Sequence, residues 1–186
     1  MRRRETLGTS CFLARGIAVC FAAVHCISGC SDSAPTRGVD NPESRRFAES
    51  LPGLHSPEVL VLYSIDGREL PDETTASKDT FHGYPVLGKL DIKQPASRAD
   101  IGAAIRDGVA QFDGVVADCF WPRHGIQVVE NGVPVDYAIC FECLQFKQYT
   151  KEQGGKDQQS EGATTASPQS VLDRYLEAAG IPLAPK

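Results

Sequence analysis

Five side chains in the second half of this chain could do chemistry together: Cys119, Arg123, His124, Cys140 and Cys143. What joins them is a predicted hairpin. Asn131-Gly132 sits between two apolar runs, and Asn-Gly in that setting favours a two-residue turn. The register then sets Glu130 opposite Val133, Val128 opposite Val135 and Ile126 opposite Tyr137, with Arg123 roughly level with Cys140. Extended further, it brings Cys119 near Leu144 and Cys143. Three chemistries fit this gathering. Cys140 or Cys143 could be a reactive thiol tuned by Arg123 or His124, since a neighbouring cation favours thiolate. Cys119, His124, Cys140 and Cys143 could bind zinc as a Cys3His set. A disulfide between Cys119 and either Cys140 or Cys143 could simply staple the fold.

The spacing favours the structural role. A redox C-x-x-C usually sits at a helix N-terminus, but Cys140-Phe141-Glu142-Cys143 lies inside a strand pattern. Residues three apart on a flat strand face opposite ways, ~10 Å apart, so these two need a bulge or turn before they can bridge or chelate. Cys119 and His124 are not at a standard zinc spacing either. Other candidates are weaker. His82 reads as a surface-loop histidine rather than a ligand. Glu142 could be a general base but reads more simply as a solvated strand glutamate. Trp121 and Tyr84 could line a groove, with core packing the simpler role. The chain has no phosphate loop, G-x-S-x-G, H-E-x-x-H or paired-carboxylate signature.

The elements that must position these residues follow a signal-like start. Arg2, Arg3, Arg4 and Arg15 precede the stretch from Gly16 to Gly29, which lacks Asp, Glu, Lys and Arg. That stretch suits the apolar region of an export signal and is shorter than the ~20 apolar residues of a membrane span. It ends in Ile27-Ser28-Gly29-Cys30, which resembles the lipobox at which bacterial lipoproteins are cleaved and acylated. Residues 1–29 are therefore expected to be a lipoprotein signal peptide and Cys30 the lipidation site. The destination is the cell envelope, on the periplasmic or outer-membrane side. Ser31 in place of Asp favours the outer membrane by the enterobacterial sorting rule. Cys11, Cys20 and Cys26 leave with the signal, so Cys119, Cys140 and Cys143 meet an oxidising compartment. Of the full 186-residue chain, with net charge −5, the signal takes four arginines and one glutamate. The remainder holds 15 basic and 23 acidic residues, a net of −8. An acidic domain without a basic cluster argues against nucleic acid as a partner.

Residues 30–57 read as a tether, with a short helix near residues 43–51. Residues 58–149 read as the core, residues 150–166 as a polar linker and residues 167–186 as a docked C-terminal helix. Val59–Tyr63 predicts a buried strand closed by Asp66-Gly67; residues 70–80 read as a loop and Val86–Ile92 as a second strand. Ser97 with Asp100 resembles a capping box, ahead of Ile101, Ala104, Ile105, Val109 and Phe112 at helical spacing, with Gly114 as the stop. Val115–Cys119 predicts a short strand, Trp121–Gly125 a loop, and Ile126–Glu130 with Val133–Gln148 the hairpin. Ser167, Pro168 and Gly180 bound the last helix. The sum is an α+β fold, a mainly antiparallel sheet of about five strands with one central and one C-terminal helix packed on it.

Cys119-Phe120-Trp121-Pro122-Arg123-His124-Gly125-Ile126, followed by Ile139-Cys140-Phe141-Glu142-Cys143 and Ala179-Gly180-Ile181-Pro182-Leu183, resembles a signature of uncharacterised bacterial lipoproteins. The resemblance spans roughly residues 80–185 and implies a recurring unit, but no activity. The first expectation is thus a lipid-anchored, non-enzymatic domain that binds a protein or ligand partner or is structural, with no cofactor. The alternative is thiol-redox or metal-dependent activity at Cys119, His124, Cys140 and Cys143, with Arg123 in support and zinc as the metal.

Overall fold

A computed structural model describes residues 41–68, 79–151 and 157–185. The signal and Cys30 lie outside them, as does most of the expected 70–80 loop. The described chain is α+β, as expected, with a curled antiparallel sheet. It has seven strands rather than five and three helices rather than two: α1 (Pro42–Ser50), β1 (Val59–Ile65), β2 (Thr80–Phe81), β3 (Tyr84–Asp91), α2 (Pro95–Ala110), β4 (His124–Glu130), β5 (Val133–Cys140), β6 (Gln145–Lys151), β7 (Asp157–Ala163) and α3 (Gln169–Ala178). The strand order is β2-β3-β1-β4-β5-β6-β7, and every neighbouring pair is antiparallel. β3 and β4 both flank β1, so they run parallel to each other. Strands so arranged need a crossover, and α2 provides it.

The Asn131-Gly132 hairpin forms in the expected register, with Glu130 paired to Val133, Val128 to Val135 and Ile126 to Tyr137. Asn131 (φ 52°) and Gly132 (φ 75°) both take the left-handed conformation that such a tight turn requires. One sheet face buries Leu60, Leu62, Ile126, Val128, Tyr137, Ile139 and Phe146 against Ile101, Ile105 and Val109 of α2 and Leu172 and Leu176 of α3. The other face carries a second, smaller core of Ile65, Phe81 and Ala138, flanked by Tyr63, Tyr84, Phe120 and Tyr149.

Four expectations need correction. Residues 41–57 are not tether but fold. Asn41 caps α1, its Oδ1 accepting from the Glu43 and Ser44 amides at 3.0 and 3.4 Å, and Leu51 and Leu54 enter the main core. The Tyr137 hydroxyl donates to the Pro52 carbonyl at 2.6 Å, and burial of that phenol raises its pKa strongly. α2 starts at Pro95, two residues before the expected Ser97 cap, because proline at the first helical position needs no amide partner. Asp100 closes no capping box; it accepts from Arg174 and Tyr175 of α3, each at 3.1 Å. Residues 115–119 form no strand, and Val115 is 88% exposed. Part of the expected 150–166 linker is instead β7, an edge strand hydrogen-bonded along β6.

Candidate functional site: three sulfurs at a sheet end

The expected second hairpin strand, Val133–Gln148, is broken. Residues 141–144 turn the chain between β5 and β6, and Leu144 takes φ 58° to complete the reversal. That turn meets the condition the spacing set. Cys140 precedes it and Cys143 lies within it, their Cα atoms 5.2 Å apart and their sulfurs joined by a disulfide. The expected pairing through Cys119 is therefore wrong. Cys119 is a free thiol, half-buried, and its Sγ stands 3.3 Å from Cys143 Sγ. Cys140 and Cys143 are each only 1% exposed.

The loop that carries Cys119 is held against this turn from several sides. The Ala117 amide donates to the Cys143 carbonyl at 3.1 Å, and the Gln145 side-chain amide donates to the Ala117 carbonyl. Phe120 packs into the second core, edge-on to Tyr84, with Lys147 Nζ 4.7 Å above its ring. At Gly67 a Cβ would lie 2.4 Å from the Pro122 backbone nitrogen, so only glycine lets the β1 turn pass the loop this closely. The Arg123 amide and carbonyl then join the sheet, bonding Ile139 and Ile65 at 3.1 Å each.

The other expected partners do not reach the sulfurs. Arg123 forms an ion pair with Glu142, bracing the turn rather than a Cys140 thiolate. His124 pairs with Ile139 across the sheet and shares its face, so Cys140, one residue on, is turned to the other side. His124 is buried against α3, with Nε2 2.7 Å from Asp173 Oδ1; Gln169 donates to the other carboxylate oxygen at 3.3 Å. Burial pushes the Asp173 carboxyl up, but the hydrogen bond and charge of His124, with Gln169 and Arg123, outweigh it and hold the group below the ordinary carboxylate range. The Cys3His zinc set is thus not assembled, with His124 facing away and two sulfurs bonded to each other. Among the described residues no group of three His, Cys, Asp or Glu side chains is arranged to hold a metal.

Of the lesser candidates, His82 lies on an exposed turn between β2 and β3, as expected. It stacks on Tyr149 with ring centres 3.7 Å apart and bonds Asp136 Oδ2 at 2.8 Å, from a left-handed φ of 49°. Burial, reinforced by Tyr84 and Glu161, pushes the Tyr149 phenol up to about 12. Glu142 is half-exposed at the tip of the disulfide turn, and Trp121 is 55% exposed rather than packed in the core. The residues 141–144 reversal was not predicted, whereas the nearness of Cys119 to Cys143 is the one the extended hairpin register expects. Only the closeness of two cysteines separated by Phe-Glu could have hinted at that turn.

No family model, curated protein or solved structure matches the chain.

Proposed function

We propose that this protein is a lipid-anchored domain of the bacterial cell envelope that carries out thiol–disulfide exchange at Cys119, Cys140 and Cys143. The observation that carries the reading is the free Cys119 sulfur 3.3 Å from one sulfur of an existing disulfide. Exchange proceeds by attack of a thiolate on a disulfide sulfur, and separations of ~3–3.5 Å are those of reactants already in place. A purely architectural role fits less well. In the chain-entropy picture a disulfide closing the four residues 140–143 contributes about 2 kcal/mol, whereas one closing residues 119–143 would contribute about 3.5 kcal/mol. The fold spends its disulfide on the smaller gain and keeps the third sulfur reduced beside it. This favours the exchange alternative over the non-enzymatic expectation. It needs no cofactor and no nucleic-acid partner.

The anchoring half of the proposal rests on Ile27-Ser28-Gly29-Cys30. No helix among the described residues is long and apolar enough to cross a membrane. Cys30→Ser is expected to abolish palmitate labelling and release the protein from the membrane fraction. Continued membrane association with no acyl label would reject the anchor. The chemical half is tested on the protein purified from membranes in detergent without reductant. Mixed with an equimolar reduced two-cysteine peptide, it is expected to oxidise up to one peptide per chain, as followed by mass. A peptide still reduced after hours, beside an intact protein disulfide, would reject exchange.

A further inference from the structure

We infer that Cys119 is the port of this disulfide: an external dithiol reaches the Cys140–Cys143 pair only through the Cys119 sulfur. The inference rests on the exchange reading and names its route and its substrate class, a dithiol. Cys140 and Cys143 are each 1% exposed, so an outside thiolate cannot contact either. Cys119 is partly open and touches Cys143. The backbone also sets a direction. The Cys143 amide donates to Cys140 Sγ at 3.1 Å, so negative charge is best received on Cys140. A leaving sulfur stabilised as thiolate leaves faster. Cys143 is therefore the atom attacked and Cys140 the group released.

Atoms and electrons balance in three steps. Cys119 loses its proton to water and attacks Cys143 Sγ; the 119–143 bond forms, the 140–143 bond breaks, and Cys140 takes the electron pair and then a proton. The disulfide now includes the partly open sulfur. A substrate thiolate attacks Cys119 Sγ, forming a mixed disulfide and releasing Cys143 as a thiolate that is then protonated. The second substrate thiol attacks the substrate sulfur of that bond, closing the substrate disulfide and freeing Cys119. Two electrons and two protons pass from the dithiol to Cys140 and Cys143, one substrate per chain.

The test uses the oxidised full-length protein in detergent with the reduced two-cysteine peptide. Cys119→Ser, whose 140–143 disulfide is verified by mass, is expected to slow peptide oxidation by at least about 100-fold, as expected for loss of access to a buried disulfide. Cys140→Ser leaves Cys119 and Cys143 to pair. Treated with N-acetylcysteine, it is expected to carry the mixed disulfide on Cys119 in peptide mapping, which checks the route in a second variant. Oxidation by Cys119→Ser at the wild-type rate, or the adduct found on Cys143, would overturn the port while leaving exchange intact. Failure of the wild-type protein to oxidise the peptide would overturn both.

Discussion

Leu172→Ala is expected to lower the unfolding free energy by about 2–5 kcal/mol, the range for deleting a buried leucine side chain. Leu172 is fully buried and, with Leu176, forms the buried face of α3 against the main core. α3 has only ten residues, and its N-cap, Pro168, makes no side-chain capping bond. So short a helix is marginal alone and depends on packing for its stability. The loss should appear as a lower urea midpoint with an unchanged denaturant slope. A change below about 0.5 kcal/mol would show that α3 is not docked where Leu172 places it.

Asp173→Asn should follow at about 1.5–3 kcal/mol near pH 7, the scale of a hydrogen bond to a charged group. It would leave the buried His124 facing an amide, while His124 Nδ1 already has no hydrogen-bond partner among the described residues. The effect has a pH signature. The folded carboxyl is held below its unfolded value, so its contribution is complete above the unfolded pKa of ~3.9. It fades as pH falls from there through the lower folded pKa. Wild-type and Asp173→Asn stabilities should therefore converge on acidification. A gap between them that stays constant from pH 7 to pH 2 would contradict a stabilising role for the ionised Asp173 carboxylate.

Much of the fold was legible where local chemistry and tertiary packing agree. Asn131-Gly132 fixed the hairpin register because two left-handed residues leave one way to pair the strands. Gly180 ended α3 as expected. It takes φ 70°, and the Gly180 and Ile181 amides bond back to the Glu177 and Leu176 carbonyls at 2.9 Å each. The failures have physical causes too. Cys140-Phe141-Glu142-Cys143-Leu144 contains no glycine, proline or asparagine, so nothing announced a turn in which a leucine adopts φ 58°. β7 was invisible because Gln158 to Glu161 are exposed on an edge, where main-chain bonding to β6 rather than apolar alternation makes the strand. Val115 and Val116 misled in the opposite direction, being β-formers left 88% and 42% exposed. The expected register brought the three cysteines to one place, but not in their actual pairing, because pairing depended on that unannounced turn.

Residues 41–57, expected to be tether, are folded from the α1 cap at Asn41 onward. Under the proposed acylation, eleven peptide steps join Cys30 to Asn41, which at ~3.6 Å per residue allows a separation of at most about 40 Å. Were residues 41–57 unfolded as well, that limit would be more than twice as long. If the acylation holds, the proposed chemistry would be confined to a thin layer over the bilayer, and its clients would have to come to that layer.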